Sequence, residues 1–135
     1  MYYKELIEEA KKARKRAYAP YSEFLVGAAL LCADGTIYTG CNIENASYGA
    51  CNCAERTAIF KAVSEGAGDF KAIAIVGGKQ GEPIDFCPPC GICRQVMTEF
   101  CDLDHFKIVL TNGEEERIYS LSEMIPYSFD NLTGQ

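Results

Sequence analysis

Val26-Gly27-Ala28-Ala29-Leu30-Leu31-Cys32-Ala33-Asp34-Gly35-Thr36-Ile37-Tyr38-Thr39-Gly40-Cys41 is the stretch from which the fold can be read. Val26 to Cys32 is a continuous apolar run of strand length, the pattern of a strand covered on both faces. Ala33-Asp34-Gly35-Thr36 is a tight-turn signal, and Ile37 to Cys41 returns as the partner, so the first two strands are antiparallel. Upstream, residues 2–17 place Leu6, Ala10, Ala13 and Ala17 at helical spacing on one face, and Ala19-Pro20-Tyr21-Ser22 ends that helix. Downstream, the polar segment Asn42 to Asn52 is too long for a turn and is expected to have a task. A helix follows from Cys53 to near Gly66, with Asn52 as its N-cap. Phe70 to Val76 reads as a strand, Gly77 to Pro88 as a loop, Cys90 to Phe100 as a helix and Phe106 to Thr111 as a strand. Leu121 to Ile125 reads as a short helix before Pro126. This order predicts an α/β fold, a three-layer α/β/α sandwich with a mixed central sheet, in a single domain over residues 1–135. The two cysteine-bearing helices are expected on one face, with their N-termini converging at the carboxyl end of the sheet.

Composition narrows the class of function. The 135 residues carry a formal net charge of -6, which argues against a binder of nucleic-acid phosphates and favours a small neutral or cationic partner. No 18-residue apolar run exists, and the charged N-terminal pattern has no apolar signal core, so a soluble cytoplasmic protein without membrane contact is expected. Eight cysteines in such a chain point to metal binding more than to a disulfide scaffold. Cys32, Cys41 and Cys101 stand apart and read as small apolar residues. His105 has no ligand spacing around it and reads as a surface or capping residue, and Glu114-Glu115-Glu116 as a solvated turn.

The chemistry concentrates in Cys53-Ala54-Glu55 and Pro89-Cys90-Gly91-Ile92-Cys93. Three thiolates and one carboxylate suit one Zn²⁺ with an open fourth position and a neighbouring group able to move protons. Cys90 and Cys93 are one helical turn apart, so their sulfurs share a side, and helix N-termini favour thiolate over thiol. Cys51 and Cys87 allow other ligand sets to be written. The diproline Pro88-Pro89 disfavours a helical turn joining Cys87 to Cys90, so Cys53, Cys90 and Cys93 are the preferred metal ligands.

The chain resembles the cytidine deaminase family, specifically its small homotetrameric type with three cysteine ligands. The resemblance rests on Tyr21-Ser22-Glu23-Phe24, Val26-Gly27-Ala28-Ala29 and the run Gly40 to Gly49. It continues through Cys53-Ala54-Glu55-Arg56 and Cys90-Gly91-Ile92-Cys93-Arg94-Gln95-Val96, so it covers most of residues 20–100. It implies one zinc per chain on those cysteines and Glu55 as the catalytic proton carrier. It also implies Asn42 and Glu44 at the ribose hydroxyls, Phe24 beside the pyrimidine and the Ala54 backbone at the base carbonyl. Phe129 resembles an aromatic lent to a neighbouring subunit's pocket, and Ala46 and Tyr48 resemble residues near subunit contacts.

The implied reaction is hydrolytic deamination of cytidine and 2′-deoxycytidine to the uridines with release of ammonia, a step of pyrimidine salvage. A zinc-acidified water attacks C4, and Glu55 carries its proton to N3 and then to the leaving amino group. Three thiolates leave the zinc site with a net negative charge, so a compensating donor is needed, and by resemblance Arg56 hydrogen-bonds the ligand sulfurs. A blasticidin-S-type deaminase, a non-catalytic zinc-binding module and a Cys90–Cys93 redox protein are the other readings.

Overall fold

The computed structural model describes residues 3–130. Its elements run α1 (Lys4–Arg14), β1 (Phe24–Cys32), β2 (Ile37–Cys41), a 3₁₀ turn at Tyr48–Ala50, and α2 (Ala54–Ser64). They continue with β3 (Phe70–Lys79), α3 (Gly91–Phe100), β4 (Lys107–Thr111), β5 (Glu116–Ser120) and α4 (Leu121–Met124). Five strands form one sheet in the order β2-β1-β3-β4-β5. Only β3 and β4 are parallel; β1 pairs antiparallel with both β2 and β3, and β5 antiparallel with β4. The sheet is mixed, as its pattern of apolar runs and hairpin signals implies.

Both faces of the central strands are covered, which explains why they read as unbroken apolar runs. Leu6, Ile7 and Ala10 of α1 pack with Ala29, Ala74, Val76 and Val109 on one face. On the other, Ala58 and Ile59 of α2, Met97 of α3 and Leu121 of α4 pack with Ala28, Leu30, Ile73, Ile75 and Ile108. The result is three layers, with both cysteine-bearing helices on the same side. Fully buried side chains such as Ile59, Ile73 and Met97 each contribute about 1.5–3 kcal/mol on burial.

Two glycines bring the helices onto the hairpin. A Cβ on Gly27 would lie 2.1 Å from the Ala10 carbonyl oxygen, and one on Gly40 would lie 2.5 Å from the Ala58 nitrogen and 2.6 Å from the Ala54 oxygen. The backbones of α1 and α2 therefore rest on β1 and β2 from opposite sides. Arg14 completes the α1 contact. Its Nε donates to the Leu25 carbonyl at 2.9 Å and its Nη2 to the Gly78 carbonyl at 2.8 Å, joining the ends of β1 and β3.

Three expectations are corrected. Glu116, expected in a solvated turn with Glu114 and Glu115, instead opens the edge strand Glu116–Ser120, for which no element was expected; its side chains are half-buried or exposed on both faces, so no period-2 signal arises. The N-cap of α2 is Cys53, with φ -76° and ψ 157°. Asn52 instead turns its amide to the Thr57 hydroxyl at 3.0 Å. The first helix stops at Arg14, leaving Ala17 half-buried beyond it, and residue 2 lies outside the described residues.

Candidate active site

The starts of α2 and α3 meet. Cys53 caps α2, Cys90 caps α3, and Cys93 lies in the first turn of α3, with its amide donating to the Cys90 sulfur at 3.5 Å. Sulfur separations are 3.7 Å for Cys53 to Cys90 and 3.4 Å for Cys90 to Cys93, and all three sulfurs lie within 4.8 Å of one another. A tetrahedral ion with zinc–sulfur bonds of about 2.3 Å requires sulfurs about 3.8 Å apart, so the cluster is dimensioned for zinc. Among the described residues no other group of three metal-ligating side chains is as close. Cys51 accepts a hydrogen bond from the Asn45 amide, and Cys87 packs against Gly77, so neither joins the cluster.

Electrostatics prepare the site for a cation. The Cys53 thiol is brought down to about 5, chiefly by a hydrogen bond from Cys93 and further by Arg56, against the cost of burial. Cys93 moves up for the reciprocal reason, its hydrogen bond to Cys53, and is fully buried. Without metal the pair thus shares one negative charge, and a dication releases the pair's remaining proton on binding. Arg56 Nη2 lies 3.4 Å from the Cys53 sulfur, while its Nε is buried without a hydrogen-bond partner. Glu55, 4% exposed, is pushed up to about 7, mainly by burial and then by the Cys53 charge.

The cluster opens onto a cleft of about 320 Å³ lined by Asn42, Glu44, Tyr48, Arg56 and Ile92 together with Cys53 and Cys90. A recess of about 180 Å³ shares Asn42, Cys53 and Cys90 and adds Val26, Ala54, Glu55 and Cys87. The Asn42 side chain clamps the start of β1, accepting from the Val26 amide and donating to the Phe24 carbonyl, both at 2.8 Å. Glu44 accepts from the Tyr21 and Ser22 amides and the Ser22 hydroxyl, and the hydroxyl foremost holds its carboxyl below the ordinary range.

Phe24 is 40% exposed and stands beside the recess. A Cβ on Gly77 would lie 2.7 Å from the Cys87 sulfur and 3.2 Å from the Phe24 ring, so that glycine leaves room for both. Tyr48 is exposed and meets Tyr21 edge-on with ring centroids 6.2 Å apart.

The structure therefore gathers Cys53, Ala54, Glu55, Arg56, Cys90, Cys93, Asn42, Glu44 and Tyr48, with Phe24 adjoining. Ala46 is exposed in the loop and lines neither cavity. Phe129 also lies outside both, with its carbonyl accepting from Gln95 Nε2 at 2.6 Å. Val26, Cys87 and Ile92 line the site without having been singled out for it. The pair Gly77-Gly78, which lies within β3, is the one sequence signal that could have marked the close approach at Cys87. His105 is exposed and hydrogen-bonds Asp102 at 2.9 Å, and it is not part of the three-cysteine group.

A family model described as the cytidine and deoxycytidylate deaminase zinc-binding region matches residues 2–109. The chain belongs to this family. It is 54% identical over 126 residues to a cytidine deaminase of Sporosarcina psychrophila, covering 92% of this chain and 88% of the relative. To a cytidine deaminase of Halalkalibacterium halodurans it is 55% identical over 126 residues, 92% and 91% of the two chains. The crystal structure of a cytidine deaminase from Burkholderia pseudomallei superposes with a TM-score of 0.85 at 51% identity, covering 96% of this chain and all of that one. Membership in a zinc-binding deaminase family accounts for an all-sulfur cage beside a buried carboxyl. The matched region contains all three cysteines and Glu55.

Proposed function

We propose that this chain is a zinc-dependent cytidine deaminase that converts cytidine and 2′-deoxycytidine to uridine and 2′-deoxyuridine with release of ammonia. The observation that carries this reading is the meeting, on one cleft, of a zinc-sized cluster of three sulfurs with a buried carboxyl. Zinc, when held by Cys53, Cys90 and Cys93, supplies Lewis acidity toward water.

Every other role belongs to the chain. Glu55, with a pKa of about 7, is poised to take a proton at neutral pH and to return it, first to ring N3 and then to the departing amino group. Burial is what sets that poise, since a solvated carboxylate is too weak a base and too scarce as an acid. Arg56 draws charge from the Cys53 sulfur. Asn42 and Glu44 receive the ribose hydroxyls, Phe24 flanks the base and the Ala54 backbone meets its carbonyl. The negative net charge and a cleft of about 320 Å³ suit a free nucleoside better than a polynucleotide.

The finer reading is of one catalytic domain that acts in pyrimidine salvage in the cytoplasm as a homotetramer. No helix of the described residues is long and apolar enough to cross a membrane. Phe129 is 63% exposed and Tyr48 75%, the condition of side chains that serve another subunit; Ala46, exposed beside Tyr48, belongs to the same contact. The deciding experiment measures zinc content together with the ultraviolet change on adding cytidine. One zinc per chain with uridine formation is expected. One zinc without deamination, or turnover of blasticidin S in place of cytidine, overturns the reading.

A further inference from the structure

Ser22 stands between the two groups assigned to hold the nucleoside. Its hydroxyl has one hydrogen to give and lone pairs to receive. The hydrogen goes to Glu44 Oε2, and the oxygen accepts from the Phe24 amide at 3.0 Å. Glu44 Oε1 already accepts two amides, from Tyr21 at 2.9 Å and Ser22 at 3.1 Å. A carboxylate has about four acceptor directions, so these contacts leave one, on Oε2, for a ligand hydroxyl. Ser22 thereby fixes which oxygen and which direction remain open.

The backbone between the two contacts is constrained. Glu23 adopts φ 57°, a left-handed conformation that strains a non-glycine residue. Hydrogen bonds from the Glu23 amide to the Ala19 carbonyl at 3.0 Å, and from the Gln80 amide to the Glu23 carbonyl at 2.7 Å, hold it there. That turn lets Phe24 enter β1 while Ser22 faces the 42–52 loop. The chain Phe24 N–H to Ser22 O–H to Glu44 runs in one direction, so each bond polarises the next.

We propose that Ser22 is a positioning residue that couples the sugar-binding carboxylate to the base-flanking aromatic. The proposal rests on the reading of Glu44 as the ribose carboxylate and Phe24 as the aromatic beside the base. Alanine at position 22 keeps both amide bonds to Oε1 and removes only the coupling, whereas threonine keeps the hydroxyl.

The test is steady-state kinetics with cytidine on zinc-loaded wild type, Ser22→Ala, Ser22→Thr, Glu44→Gln and the double variant Ser22→Ala with Glu44→Gln. Expected for Ser22→Ala is a KM raised about fivefold with kcat kept within about twofold, the loss of one hydrogen bond to a charged group at an exposed site. Ser22→Thr stays near wild type, and the Ser22→Ala effect largely disappears in the Glu44→Gln background. An unchanged KM for Ser22→Ala, effects that multiply in the double variant, or no rescue by threonine overturns the role of Ser22 while leaving Glu44 at the sugar. An unchanged KM for Glu44→Gln overturns the sugar assignment, and the proposal with it.

Discussion

Replacing Glu55 with glutamine is expected to make the metal-free protein more stable while abolishing its chemistry. The carboxyl is 4% exposed and its pKa rises from 4.5 to about 7, first because burial penalises the charged form. A carboxyl raised on folding contributes its stability below the unfolded value, and that contribution is lost as pH rises through the folded one. Above both values, the shift from 4.5 to about 7 amounts to a cost of about 3 kcal/mol. Glutamine has nearly the same shape and never ionises, so it escapes this cost.

At pH 8.5 the variant is therefore about 3 kcal/mol more stable, a gain of about 1–2 M in urea midpoint, and at pH 5 the gap falls below about 1 kcal/mol. The assay is urea denaturation of both metal-free proteins at the two pH values and at equal protein concentration. Zinc narrows the gap because a dication beside Glu55 favours its charged form. In parallel, deamination by the zinc-loaded variant falls at least about a thousandfold, as loss of the proton carrier requires. Equal midpoints at pH 8.5, or the same gap at both pH values, would refute burial as the source of the raised pKa.

Arg56→Ala is expected to keep its zinc and lose about 10- to 100-fold in turnover, since the Cys53 sulfur loses its donor; metal analysis with kinetics checks this, and full turnover rejects the role. Gly40→Ala places a Cβ 2.5 Å from backbone of α2, which is expected to cost about 2–3 kcal/mol in thermal or urea unfolding and to loosen zinc. Chelation is expected to abolish deamination and to expose the thiols of the three-cysteine cluster to a thiol reagent, with both changes reversed by added zinc.

The hairpin was legible because β1 is apolar on both faces and Asp34-Gly35 marks its turn. The three cysteines were legible because one helical turn separates Cys90 from Cys93 and a carboxyl follows Cys53, a pairing with a chemical reason behind it. β5 was not, because an edge strand with exposed side chains leaves no alternation to read. Cys87 looked like a rival ligand; only the register that sets Gly77 beside it reveals a wall of the recess. The Arg14 fork is equally silent in one dimension, since its acceptors are backbone carbonyls on two strands that a linear pattern cannot bring together. Ser22 shows the same limit, because a hydroxyl that serves two residues is visible only once both are in place.

The sulfur cage is divided between two helix starts, with all of β3 between Cys53 and Cys90. A growing polypeptide that has not yet paired β1 with β3 therefore offers a metal ion only the Cys90 and Cys93 part of this cage, a poor chelate. Tight retention of the ion demands the finished sheet, and any opening that separates α2 from α3 breaks the coordination shell. Escape of zinc into a colorimetric chelator can then serve as a clock for conformational opening of the whole scaffold. Variants could be ranked for kinetic durability on that signal alone, with no substrate present.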